Sequence, residues 1–84
     1  MARYFFHIED SISDLDTEGV ELADHGAAMS QAVVMMGELL RERSAAVVQH
    51  RGLKLIVTDQ TGLIAFILDL SAVAAPAIAL RQRA

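Results

Sequence analysis

One stretch, Asp24 to about Val48, carries a long helical period, and it constrains the fold more than any other part of the chain. At about 100° per residue, Ala28, Ala32, Met35, Met36, Leu39 and Leu40 share one arc, with Met29 and Val33 at its edge. Ser30, Gln31, Gly37, Glu38, Arg41 and Glu42 fall opposite. A helix with one apolar stripe needs a second layer to bury it. Asp24 is placed to cap this helix, because its carboxylate can accept from the free N–H groups of the first turn. The arc begins with small residues and ends with large ones, so the N-terminal half is expected to lie nearest the strands. Gly37 weakens the helix by about 1 kcal/mol relative to alanine, so packing must hold it. Ser44–Val48 can continue the helix, and Gly52 is a stop signal. Val34 breaks the pattern: it is apolar in the middle of the polar arc.

The remaining segments read as short strands and turns. Arg3–Ile8 holds three of the four aromatic residues and is expected to be a central strand. Tyr4, Phe6 and Ile8 face one way, and Arg3, Phe5 and His7 the other. The polar run from Glu9 to Glu18 reads as a loop ending at Gly19. Val20-Glu21-Leu22 then returns antiparallel to the first strand. After the helix, Leu53–Thr58 and Leu63–Leu68 form a hairpin about Asp59-Gln60-Thr61-Gly62. Ser71 is placed to cap a short helix through Ala72–Ala75, with Pro76 as a kink or a new start and Arg81 and Arg83 at its end. The expected fold is α+β, in the order β-β-α-β-β-α. Its four-stranded, mainly antiparallel sheet carries one long helix on one face and a short C-terminal helix.

The hairpin is not simply apolar inside and polar outside. Leu53, Leu55 and Val57 point to one face, with Ile64, Phe66 and Leu68 beside them. Ile56, Leu63 and Ile67 place apolar groups on the second face, together with Phe5. A chain of 84 residues makes one domain, with 1–70 as sheet and main helix and 71–84 as an apolar tail or helix. It buries only about 60–65% of its unfolded surface. Yet 54% of its residues are hydrophobic, more than so small an interior can hold. A homodimer or higher homo-oligomer is therefore expected. Phe5, Val34, Ile56, Leu63, Ile67, Val73, Ile78 and Leu80 are the candidate interface residues.

Composition excludes several chemistries. With no cysteine there is no disulfide, thiolate nucleophile or cysteine-ligated zinc. The net charge is −4 and the seven basic residues are scattered, which argues against nucleic acid as a partner. The apolar stretches 63–68 and 72–80 are too short to span a bilayer, and the first residues show no cleavable signal pattern, so a cytoplasmic protein is expected. No nucleophile elbow, phosphate-cradling loop or dinucleotide fingerprint occurs, and no cofactor is expected. Asp14-x-Asp16-x-Glu18-Gly19 starts like a calcium loop, but Glu21 and His25 stand where an apolar residue and a bidentate glutamate are needed. It reads as a solvated acidic turn. His7, with Glu21 or Asp10 as its expected carboxylate partner, is the one general acid/base grouping on offer.

Three segments carry a resemblance: Arg3-Tyr4-Phe5-Phe6-His7, Glu18-Gly19-Val20-Glu21-Leu22-Ala23-Asp24, and Val57-Thr58-Asp59-Gln60-Thr61-Gly62. In that order, over roughly residues 2–68, they resemble a family of short bacterial proteins of unknown function, common in rhizobia and their relatives. The resemblance implies the fold and a bacterial cytoplasmic setting, and it brings no activity with it. A weaker likeness is to the antitoxins of HicB type, which share a β-β-α-β order. Those usually add a DNA-binding segment, where this chain has only an apolar tail. The functional expectation is a non-enzymatic, self-associating interaction or structural module that can also bind a protein partner. The alternatives are an antitoxin-like regulator holding a partner protein and, further off, an enzyme using His7.

Overall fold

Alternation in the first strand sets the architecture. In the computed structural model, which describes residues 1–9 and 13–75, β1 spans Ala2–Glu9. Its Tyr4, Phe6 and Ile8 are buried, while Arg3, Phe5 and His7 are only half-buried. Four strands join it: β2 (Ser13–Asp14), β3 (Val20–Leu22), β4 (Gly52–Thr58) and β5 (Ile64–Ser71). Every pairing is antiparallel. The order across the sheet is β2-β1-β4-β5, with β3 also on β1. The three aromatics of the first strand therefore do mark its centre.

The core is one layer deep, between this sheet and the helices. Tyr4, Phe6 and Ile8 of β1 and Leu53, Leu55 and Val57 of β4 form its floor, and Leu55 and Val57 are completely inaccessible. Ala28, Ala32 and Leu39 cover them, with Met35, Met36, Leu40, Phe66 and Leu68 at the margin. Ala28 and Ala32, the small residues of the arc, are also completely buried. Asp24 caps that helix as expected: its Oδ1 accepts from the Ala27 N–H at 2.9 Å.

The helical stretch is two helices, a correction to the single long one. The first, α1, spans His25–Glu42, and α2 spans Ser44–His50. Arg43 leaves helical geometry between them, at φ −116° and ψ 30°. Its N–H still bonds the Leu39 carbonyl and its own carbonyl accepts from Val47, so Arg43 stays tied to both helices. Val47 of α2 belongs to the same buried core as Leu53 and Leu55. The stop is also one residue early. Arg51, not Gly52, takes the left-handed conformation, at φ 61°. Gly52 begins β4, where a Cβ would stand 2.6 Å from the Leu70 carbonyl oxygen.

Two further expectations fail at the strands. The loop after β1 contains the two-residue strand β2, whose Ser13 and Asp14 pair with Glu9 and Ile8. At the other end, Ser71 does not cap a helix. It pairs with Gly52 as the last residue of β5, and Ala72–Ala75 are not helical. The rest of that expected helix, with Pro76, Ile78, Leu80, Arg81 and Arg83, lies outside the described residues. The Ala72 N–H bonds the Arg51 carbonyl at 2.9 Å. Ala72, Val73 and Ala74 line a cleft of about 330 Å³ with Val48 and Arg51. This piece of the tail thus runs beside α2, on the helical side of the sheet. No helix among the described residues is long and apolar enough to cross a membrane.

Candidate functional site

The second face of the sheet is uncovered by any helix or strand among the described residues, and the strand registers place its side chains in rows. Phe5 stands beside Thr58, and Thr58 beside Ile64. The next row is His7, Ile56 and Ile67, and the one after it Glu9, Lys54 and Asp69. Arg3, paired with Glu21, closes the opposite end. The two middle rows are apolar apart from Thr58 and His7, and both outer rows are charged. Ile64 and Ile67 are 59% and 47% exposed.

Of the candidate interface residues, the fold brings Phe5, Ile56 and Ile67 together on this face. Leu63 is exposed but stands outside these paired rows. It lies in the turn, ahead of β5, and the register shifts by one between Val57 and Thr58. That irregularity leaves Ala65 without a partner and puts Ile64 opposite Thr58. Ile64 thus moves from its expected place in the core row to the open face. Val34 is exposed on α1 and Val73 on the tail, each away from the sheet face. Ile78 and Leu80 lie outside the described residues.

His7 sits in the middle of the face and its partners differ from the expected carboxylate. Glu21 instead meets Arg3, at 3.5 Å. Asp10 lies outside the described residues. The His7 ring bonds two other groups: Nδ1 accepts the Asp16 N–H at 3.0 Å, and Nε2 lies 3.0 Å from Thr58 Oγ1. A ring nitrogen that accepts an N–H carries no proton, so this geometry defines the Nε2–H form, donating to Thr58. Phe5 lies alongside, its ring 6.4 Å away and nearly parallel.

Asp16 is the residue that sequence reasoning missed. Between β2 and β3, residues 15–19 stand opposite residues 5–7, so this stretch bows away and leaves the Phe6 N–H without a ladder partner. Asp16 Oδ2 accepts that N–H at 3.1 Å, while Oδ1 accepts those of Glu18 and Gly19 at 3.0 and 3.1 Å. The side chain does the work of the missing strand. Burial works to raise its pKa, but the bonds from Phe6, Gly19 and Glu18 outweigh it and hold the carboxyl below the usual aspartate range. Gly19 then takes φ +74°, and a Cβ there would lie 2.9 Å from Arg3 Cγ, Phe5 Cε2 and the Tyr4 carbonyl oxygen. The Arg3 guanidinium reaches the Glu18 carbonyl at 2.8 Å. The three segments that carry the resemblance therefore meet at one place, and their polar atoms hold strands together there.

A pH dependence follows. Because the folded carboxyl of Asp16 has the lower pKa, its stabilisation is complete above the unfolded value of about 3.9 and is lost as pH falls through the folded value. Asp16→Asn should cost about 1–2 kcal/mol near neutral pH, since it keeps one acceptor and sets an amide against the Phe6 N–H. Urea midpoints from about pH 6 to about pH 2.5 should show the gap between wild type and variant narrowing below about pH 4. A gap that stays constant would mean the charge of Asp16 contributes nothing.

At the hairpin, Asp59 holds the turn. Its Oδ1 accepts from the Thr61 hydroxyl at 2.6 Å and from the N–H groups of Thr61 and Leu63. The Thr61 bond is the foremost reason its carboxyl is also lowered. Among the described residues no group of three or more histidines and carboxylates is placed to hold a metal ion. On the helical side, Asp14, Leu15 and Glu18 rim a cleft of about 370 Å³ floored by Phe6, Ile8 and Met35.

The chain belongs to the family described as domain of unknown function DUF6894, which it matches over residues 3–71. That span opens at Arg3 in β1 and closes on Ser71, the last residue of β5, so it is coextensive with the sheet. No curated protein and no solved structure matches the chain.

Proposed function

We propose that the chain is a non-enzymatic module of the bacterial cytoplasm that associates with copies of itself through the open face of its sheet. The observation that carries this reading is the arrangement of that face: apolar rows in the middle, charged rows at both ends, and no covering element among the described residues. Protein interfaces share this anatomy of an apolar centre with a polar rim. The polar groups on the face support a structural role. Both ring nitrogens of His7 are engaged, and Asp16 spends its oxygens on three backbone N–H groups. The bacterial and cytoplasmic setting rests on the resemblance of the three sequence segments. The antitoxin-like alternative rests on the sequence likeness alone.

Sedimentation equilibrium from micromolar to millimolar concentration tests the reading. The weight-average mass should climb from the 9.1 kDa of one chain toward twice that value. A mass that stays at 9.1 kDa over the whole range sinks it.

A further inference from the structure

We infer that two copies meet open face to open face, about a two-fold axis that lies between the sheets and runs across the strands. This rests on the self-association reading and gives it a geometry.

The occupant of the face is argued first. The chain's own tail starts on the wrong side: Ala72–Ala74 run beside Val48 and Arg51 of the helical layer. A second copy, by contrast, brings the same pattern of rows. A two-fold contact is self-complementary only if the rows match themselves after rotation. An axis along the strands through β4 would set Glu9 over Asp69 of the second copy and Lys54 over its own copy, with like charges opposed. An axis across the strands turns the second sheet end for end. Arg3 then stands over Glu9 of the second copy, and the two apolar rows exchange: Phe5 over His7, Thr58 over Ile56, Ile64 over Ile67. Arg3 of each copy meets Glu9 of the other, and the isoleucines of β5 meet each other. The intrinsic twist of the sheets adds a crossing of about 30°.

The size of the face sets the strength. Columns about 4.8 Å apart and rows about 6.8 Å apart span roughly 300–500 Å². A standard interface buries about 800 Å² on each partner. The dimer is therefore reversible and concentration-dependent.

The chain has no cysteine, so single introduced thiols report contacts without background. Ile64→Cys and Ile67→Cys proteins are prepared separately, checked by sedimentation, then mixed and treated with a short bis-maleimide. The thiols project toward each other between sheets about 10 Å apart. The product joining one Ile64→Cys chain to one Ile67→Cys chain is expected to exceed either self-joined product about tenfold. Edge-to-edge pairing of β5 with its own copy would instead join Ile67→Cys to itself. That outcome overturns the face-to-face geometry and leaves self-association standing. A wild-type mass that never leaves that of one chain overturns both. A chain cut after Ala75 that dimerises when the full chain does not would show that the tail occupies the face, and it too overturns the proposal.

Discussion

Leu55→Ala is expected to lower the free energy of unfolding by about 3 kcal/mol, read as a fall in the urea midpoint with little change in slope. The magnitude follows from where Leu55 sits. It is completely inaccessible. It pairs with Ile8 on one side and Leu68 on the other. Three adjacent strands therefore meet at this side chain, and the helical layer lies above it. Truncation removes buried apolar surface and leaves a cavity whose walls belong to a hydrogen-bonded sheet, so they cannot collapse inward. A domain of this size commonly has about 5–15 kcal/mol in all, so the variant should be measurably less stable at physiological temperature. The matched comparison is Ile67→Ala, which removes a similar volume from the open face and should cost under about 1 kcal/mol in the monomer. Equal losses at the two positions would show that the second face is buried in the isolated chain.

Gly19→Ala is expected to cost about 2–3 kcal/mol, through two effects that cannot both be relieved. Its φ of +74° lies in the left-handed region, where an L side chain is strained by about 1 kcal/mol or more. The added Cβ would also meet Arg3 Cγ, Phe5 Cε2 and the Tyr4 carbonyl, each at 2.9 Å. The arginine can move aside, but the Tyr4 carbonyl belongs to the central strand and cannot. The segment that carries Asp16 would be pushed off β1, loosening the bonds to Phe6 and His7 as well. Amide exchange reads this locally: Phe6 should lose protection in the variant while Leu55 keeps most of its own. Loss at both residues in proportion would indicate global destabilisation only.

The parts of the fold that were readable beforehand are those set by local pattern. Arg3–Ile8 holds three of the four aromatic residues, and that concentration placed β1 at the centre. Asp24 precedes an apolar period, which is enough to define a cap. Asp59 and Gly62 bracket a four-residue turn with the chemistry a hairpin demands. The failures share another cause. Arg43 lies between two good helical segments with no glycine or proline to announce a break. The irregularity at Ala65 has no residue signature, yet it moves Ile64 across the sheet. Ser71 and Ala72 satisfy the rules for a helix start, but pairing with Gly52 holds Ser71 in the sheet. Asp16 looked like one carboxylate among several in an acidic turn. Its role depends on an unpaired N–H ten residues away in sequence, which local pattern cannot show.

The position of β1 bears on how the chain is made. It precedes the other four strands in the sequence, and with β4 it is one of the two inner strands of the sheet. One of its edges can be satisfied early, by β2, β3 and the Asp16 side chain, all within the first 22 residues. Its other edge waits for β4, where Phe5 pairs with Thr58. At about 5–20 residues per second, a nascent chain carries that aromatic strand half-paired for roughly 3–10 s before its partner exists. The Asp16 contact thus belongs to the stage at which the N-terminal segment stands alone, and a variant that loses it should need more help from chaperones during synthesis than its equilibrium stability suggests.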